Sequence, residues 1–331
     1  MAKDIELLTN EIRKKIIASD VFDFEKISRQ VFELQRTHNL VFKTFADQIQ
    51  KKDEVVYLPI STFKSHEVKT GIWETSQLFK SSGTTGSISS VHHVKHLDFY
   101  QMLSLNHFQK VFGALDNICI LALLPHYLER GESSLVAMVN HLINHSSIAT
   151  SGFYLYDFEK LQKTIFQNKA QNIPTILFGV TYALLEFANF FGKEMLDHLT
   201  IIETGGMKGR GKELTRNELH EILNQHFEKA IITSEYGMTE MFSQAYLDKE
   251  GWFVPGKTLK IIITEINDPL SEEKIGKTGR VNLIDLGNLD TCAFISTDDL
   301  GRVDESGRFQ ILGRLDHSDL RGCNLMVQDL A

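Results

Sequence analysis

The feature that most constrains this chain is the way its central part switches between two hydrophobic periods. Short continuous apolar or β-branched stretches at 117–124, 175–178, 199–203 and 230–233 read as strands, and 180–191 and 214–226 between them carry apolar residues at helical spacing. Strands that alternate with helices in this way predict an α/β layer architecture. Upstream, 4–17 and 24–50 also place apolar residues at helical spacing. Ile27, Val31 and Leu34 form one stripe there, continued by Val41 and Phe45. From 250 onward the pattern changes. The segments 257–266 and 280–285 look like strands in a Gly- and Asp-rich setting without helices between them, which predicts a smaller, mostly β subregion. With five prolines in 331 residues, no linker marks a boundary.

Composition removes several classes of function. A hydrophobic content of 42% rules out a disordered chain. The 35 Lys+Arg against 43 Asp+Glu give a formal net charge of -8, the wrong sign for a protein that holds nucleic acid by neutralising phosphates. Any anionic ligand must therefore be held by a local arrangement. Cys119, Cys292 and Cys323 are odd in number, far apart and without a CxxC pair, so neither a disulfide framework nor a thiolate zinc site is expected. The longest apolar run, 118–124, is too short to span a bilayer, and the charged N-terminus offers no apolar signal core. The expectation is a soluble, unprocessed protein of the reducing cytoplasm.

Three stretches carry the pattern of a nucleotide site. Ser81-Ser82-Gly83-Thr84-Thr85-Gly86 follows the strand-like 78–80, and its glycines and hydroxyls would let backbone N–H and O–H groups converge on phosphate oxygens. A polar hairpin turn has the same composition. It is not a Walker A loop, because Ser87 rather than Lys follows Gly86. Ser234-Glu235-Tyr236-Gly237-Met238-Thr239-Glu240 follows a strand-like stretch. It offers a ring face, a close approach, a hydroxyl and a hard oxygen ligand for Mg²⁺, although a helix N-terminus capped by Thr239 and Glu240 would read the same. Thr297-Asp298-Asp299-Leu300-Gly301, followed by 311–316 with Gly313 and Arg314, could hold ribose hydroxyls and a phosphate, or form two acidic turns.

In this order the three stretches resemble the adenylate-forming superfamily, whose phosphate loop reads TSGTTG, whose base-and-metal motif reads YGxTE and whose ribose motif precedes a GRxD hinge. Longer segments resemble the acyl-protein synthetases of bacterial bioluminescence operons. These are 63–68 with Gly71, 79–86, Leu124-Pro125 with 127–131, Glu203-Thr204-Gly205-Gly206 with Lys208-Gly209-Arg210-Gly211, and 318–323. The resemblance covers essentially the whole chain. It implies an adenylate-forming large N-terminal domain over 1–312, of layered sheets and helices with the β subregion at 250–312, and a hinge-like segment 313–331. It also implies ATP and Mg²⁺ as cofactors and activation of a fatty acid to acyl-AMP. The acyl group would then pass to the protein's own Cys323 and on to an acyl reductase partner.

Residue by residue, the resemblance implies that Ser82, Gly83, Thr84, Thr85 and Gly86 hold the ATP phosphates. Tyr236 and Gly237 would line the adenine, with Gly205 and Gly206 beside the nucleotide. Thr239 would touch a phosphate, Glu240 would bind Mg²⁺, Asp299 would bind ribose and Arg314 would sit beside it. Two departures stand out. The mobile C-terminal domain that relatives carry, with its lysine, is absent from the sequence, and no lysine closes the phosphate loop. Lys208 and Arg210, with Lys212, are candidate replacement cations, although a solvated basic loop explains them equally. Arg321 would activate the Cys323 thiol. The competing readings are a ligase that passes its acyl group to a small thiol such as coenzyme A, and a nucleotide-binding subunit without catalysis. His92 and His96, one helical turn apart, invite a weak metal reading without a third ligand.

Overall fold

Where an apolar stripe meets a capping residue, the chain winds into helices. The computed structural model describes residues 2–49, 55–81, 88–124, 132–205 and 214–315. It opens with α1 (Ala2–Ala18), α2 (Phe24–His38) and α3 (Leu40–Ile49). The Asp23 side chain accepts from Lys26 N and caps α2, whose buried face carries Ile27, Val31, Phe32 and Leu34. The single helical stretch read at 24–50 is broken at Asn39. That residue is extended, and its side chain accepts from Phe42 N (3.0 Å) while donating to the Thr291 carbonyl (2.9 Å). Periodicity continues across the break because both helices bury against the same neighbours.

The strands and helices that follow are, in order, β1 (Leu58–Pro59), β2 (Gln77–Lys80), β3 (Val91–Val94), α4 (Leu97–Phe112), β4 (Cys119–Leu123), α5 (Ser134–Asn144), β5 (Gly152–Phe153), α6 (Phe158–Ala170), β6 (Thr175–Val180) and α7 (Thr181–Phe191). Next come β7 (Glu194–Met195), β8 (Leu199–Thr204), α8 (Arg216–His226), β9 (Phe227–Glu228) and β10 (Ile231–Tyr236). The chain then has β11 (Ala245–Leu247), β12 (Phe253–Pro255), β13 (Leu259–Thr264), β14 (Gly279–Asp285), β15 (Phe294–Val303) and β16 (Phe309–Arg314), without a helix among them. The α/β middle and the β-rich end are thus both present.

Among the described residues, twelve strands form one sheet in the order β13-β14-β15-β16-β12-β11-β10-β8-β6-β4-β5, with β1 beside β15. From β10 to β5 every pairing is parallel, and from β10 to β13 every pairing is antiparallel. The parallel strands β4 and β6 are buried at every position, as a sheet covered by crossover helices requires. β10 is the strand where the two pairings meet. The Asp299 and Arg314 stretches, which could have been acidic turns, lie within β15 and β16, because the antiparallel ladder pairs them directly. No helix among the described residues is long and apolar enough to cross a membrane.

The first helices close the β-rich end. Phe294 on β15 lies edge-on to Phe32 (5.1 Å) and stacks with Phe42 (6.1 Å). Gln35, fully buried on α2, donates to the Asn288 carbonyl (2.9 Å) and accepts from Ala293 N (2.8 Å), so the loop after β14 is tied down by side-chain bonds where no ladder reaches it.

The end of β14 supplies a second anchor. The buried Asp285 carboxylate receives Phe242 N (2.8 Å), Ser243 N (3.0 Å), the Ser243 hydroxyl (2.6 Å) and Gly287 N (2.9 Å). Burial pushes its pKa up and these four donors oppose the shift. Replacing Asp285 with Ala leaves the donors buried without an acceptor. Because each such group costs about 1–3 kcal/mol, we expect a loss of at least about 3 kcal/mol, seen as a lower urea midpoint at unchanged slope. Asp285→Asn keeps one acceptor oxygen and is expected to lose less.

Candidate active site

An open cleft of about 690 Å³ lies over the carboxyl ends of β8 and β10, with walls from β15, β16 and the 3₁₀ turn Ile60–Lys64. Ligands of open parallel sheets bind in such crevices, beyond the carboxyl ends of the strands. β8 leaves the sheet through Gly205, whose φ of 77° suits only a residue without a Cβ, and whose carbonyl receives the Thr181 hydroxyl at 2.7 Å.

At one end of the cleft the antiparallel ladder brings Asp299 opposite Arg314. The Tyr236 hydroxyl donates to Asp299 Oδ2 (2.9 Å), and Arg314 Nε lies 3.4 Å from Asp299 Oδ1. Tyr236 is buried against the stacked rings of Phe253 (5.7 Å) and Phe309 (5.2 Å) and lines the cleft. Burial raises the pKa of Asp299, while the Tyr236 hydroxyl and the cations Arg314 and Arg216 oppose the rise. The Arg314 side chain is 74% exposed, so it can leave Asp299 for a ligand at small cost.

Beyond Tyr236 the chain forms a turn through Gly237, Met238, Thr239 and Glu240, closed by Met241 N to the Met238 carbonyl (3.1 Å). No helix begins here, so Thr239 and Glu240 are not capping residues. Side chains from elsewhere hold the turn instead. His92 Nδ1 donates to the Thr239 carbonyl (2.8 Å), and Asn288 Nδ2 donates to the Glu240 carbonyl (2.8 Å). The Glu240 carboxyl lines the cleft while only 6% exposed; burial raises its pKa, and Ser90, Lys64 and Arg314 counter that shift.

His92 also accounts for the histidine pattern. Residues 91–94 are a strand rather than a helix, so His92 points into the core and His93 to the other face, where its Nδ1 meets the Thr75 hydroxyl at 2.9 Å. Burial takes the His92 pKa down to about 4, so the ring is neutral, with Nδ1 protonated toward Thr239 and Nε2 accepting from the Thr291 hydroxyl (3.0 Å). Among the described residues no group of three or more His, Cys, Asp or Glu could hold a metal ion, and the metal reading of His92 and His96 falls.

The far side of the cleft holds groups with no assigned role in the sequence motifs. Glu203 on β8 accepts from the Thr181 hydroxyl (2.8 Å), and its pKa is raised by burial against the opposing Arg216. Glu235 accepts from the Thr204 hydroxyl (2.5 Å), and burial takes its pKa to about 7. Arg216, at the start of α8, stacks over Phe253 with 4.6 Å between the guanidinium carbon and the ring centroid. It lines the cleft together with Lys64.

Of the predicted residues, the structure brings together Gly205, Tyr236, Gly237, Thr239, Glu240, Asp299 and Arg314 around this one cleft. Ser82, Gly83, Thr84, Thr85, Gly86, Gly206, Lys208, Arg210, Lys212 and Cys323 lie outside the described residues. The single carboxylate Glu240 fits Mg²⁺, which is commonly held by one or two protein carboxylates together with substrate phosphates and water. His92, Asn288 and Asp285 were not legible as site residues, since each acts on backbone atoms far away in sequence. Glu235 stood inside a motif but carried no signal of its own.

The sequence matches the family model described as acyl-protein synthetase, LuxE, over residues 4–330. No curated protein sequence matches the chain. Among solved structures, ATP-bound MatB from Rhodopseudomonas palustris is similar at 17% identity and a TM-score of 0.52, covering 75% of this chain and 49% of that one. The long-chain-fatty-acid-CoA ligase FadD1 from Archaeoglobus fulgidus is similar at 14% identity and a TM-score of 0.50, covering 76% of this chain and 54% of that one. A 2-hydroxyisobutyryl-CoA ligase solved with R3-HIB-AMP gives 10% identity and a TM-score of 0.58, covering 87% and 66%. The chain thus spans roughly half to two thirds of the length of these enzymes. Its α/β fold is that of their large N-terminal domain, and with the family model matched from end to end, the chain belongs to the acyl-protein synthetase (LuxE) family.

Proposed function

We propose that the protein activates a carboxylic acid, most simply a long-chain fatty acid, with ATP and passes the acyl group to Cys323 as a thioester. The observation that carries this reading is the meeting, in one cleft, of a buried Glu240 carboxyl with the Tyr236, Asp299 and Arg314 set. In the first half-reaction a carboxylate oxygen of the acid attacks the α-phosphorus of ATP. The bond to pyrophosphate breaks, and acyl-AMP remains.

In this reading Asp299 accepts from the ribose hydroxyls, and the Tyr236 hydroxyl fixes its orientation. Arg314 moves from Asp299 to the nucleotide. The hydroxyls and N–H groups of 82–86 hold phosphate oxygens, and Thr239, whose backbone carbonyl His92 holds, adds its hydroxyl. Glu240 would hold Mg²⁺, which when bound would supply charge neutralisation on the phosphates. Lys64 and Arg216 among the described residues, with Lys208 and Arg210, are the cations available for negative charge on the α-phosphate.

In the second half-reaction a thiolate attacks the acyl carbonyl, the acyl–phosphate bond breaks and AMP leaves. Cys119 and Cys292 are fully buried, and the Cys292 thiol is pushed up to about 12 by burial, which disfavours both as acceptors and favours Cys323. Residues 1–312 then form the activating domain and 313–331 the carrier segment, which hands its acyl group to a reductase partner. ATP and a free thiol together suit a cytoplasmic setting.

Two variants separate these assignments. Cys323→Ser is expected to keep acid-dependent pyrophosphate exchange at the wild-type rate and to lose the hydroxylamine-sensitive acyl adduct seen by intact-protein mass spectrometry. Persistence of the adduct, or rapid acylation of coenzyme A by the wild type, would replace this reading with a small-thiol ligase. Glu240→Gln removes one charged ligand oxygen, so half-maximal exchange is expected to need about tenfold more Mg²⁺, or beyond, at a given ATP concentration. An unchanged Mg²⁺ dependence removes Glu240 from the metal site.

A further inference from the structure

Side chains alternate across a strand, so β10 presents Tyr236 to one side of the cleft and Glu235 to the other. Tyr236 faces Asp299, the nucleotide end of the proposed reaction. Glu235 faces the α4 side, opposite Tyr246 on β11 and near Tyr100 on α4. An acid that is to join the α-phosphate has to approach from the side the nucleotide leaves free. Between the two sides stands Gly237, and Glu235 Oε1 lies so close across it that a Cβ there would overlap the carboxyl oxygen.

Glu235 is both deep and open. Its Oε2 takes the Thr204 hydroxyl, while the side chain lines the cleft. Behind it, the Tyr246 hydroxyl is fully buried and has no hydrogen-bond partner. A buried unpaired hydroxyl is rare and costly, and here it belongs to the residue paired across the ladder with Glu235, a cleft carboxyl that the nucleotide chemistry does not use.

We infer that Glu235 is the hydrogen-bond donor that receives the carboxylate of the acid substrate, a role that rests on the acid-activation reading. An ionised glutamate would repel that carboxylate, whereas a neutral one can donate to it from Oε1. Burial, aided by the neighbouring Glu203 charge and opposed by the Thr204 hydroxyl, takes the Glu235 pKa to about 7. Glu203 beside it is likewise raised by burial, so the two carboxyls titrate as neighbours. Tyr100 and Tyr246 are raised far above neutrality, and Arg216 stays cationic on the neighbouring wall. His92 and His220, each bonded to a cleft-lining residue, are held at about 4 and remain neutral. Glu235 therefore loses its donor proton as the pH rises through about 7, and affinity for the acid falls with it.

The test measures KM for a carboxylic acid and for ATP separately, by pyrophosphate exchange between pH 6 and 8.5, in the full-length protein. The wild type is expected to show an acid KM that climbs toward tenfold per pH unit above about pH 7, with ATP KM nearly flat. Glu235→Gln keeps a donor that cannot ionise, so its acid KM is expected to be flat across the range. Glu235→Ala is expected to raise the acid KM about tenfold or more at pH 6.5, since a hydrogen bond to a charged group is lost.

A Glu235→Gln profile that still climbs like the wild type overturns the inference, even if the Ala variant does not fold. So does an unchanged acid KM in Glu235→Ala. Exchange that no carboxylic acid supports in the wild type is a different result: it removes the acid-activation reading itself, and this inference with it.

Discussion

A turn cannot hold a buried carboxyl at a fixed point in a cleft unless its own backbone is fixed, and the turn 237–243 has neither ladder nor helix to do it. Three side chains substitute. His92 takes the Thr239 carbonyl, Asn288 takes the Glu240 carbonyl, and Asp285 takes the N–H groups of Phe242 and Ser243. Each is buried, so each bond is made where water cannot compete for it. The remainder of the molecule can be seen as support for these three. α2 fixes Asn288 through Gln35, α1 reaches the same loop through the Arg13–Asp290 ion pair (2.8 Å), and β3 carries His92 beside Phe63 and Phe242.

The cleft they support is electrostatically unusual. Glu203, Glu240 and Asp299, buried, and Glu235, half-buried, all line it, and all have raised pKa values with loss of solvation as the leading cause. A cluster of carboxyls is a poor host for a polyanion unless some are neutral, some are paired and some are bridged by a cation. The carboxyls differ in how they are met. Asp299 has Tyr236 and Arg314, Glu203 has Thr181 with Arg216 nearby, Glu240 has Ser90 with Lys64 and Arg314, and Glu235, raised to about 7, is near half-protonation at neutral pH. The net charge of -8 carried no hint of this, because it averages over a surface that the cleft does not share.

Much of the architecture was legible because burial on both faces of a parallel strand leaves an uninterrupted apolar run, as at 119–123 and 175–180. Boundaries were less so. Asn39 breaks a helix for reasons that lie at Thr291, and β15 hides its strand character behind Thr297, Asp298 and Asp299, polar residues that a ladder and a binding site both use. Within the site, groups contiguous with a motif, such as Tyr236 and Glu240, could be found from the sequence. Groups that act across the fold, such as His92 on Thr239 over 147 residues, could not, because nothing local distinguishes a histidine that donates to a distant carbonyl from one that coordinates a metal.

One property of the sheet bears on how such an enzyme could change its substrate. β10 is laddered on both edges, parallel to β8 and antiparallel to β11, so the two halves of the sheet share a single continuous floor. Tilting one half against the other would tear a ladder, at a cost no small ligand repays. The floor therefore acts as a fixed ruler beneath the cleft. Diversity in the acid accepted has to arise one side chain at a time, at alternate positions of a strand whose backbone stays still.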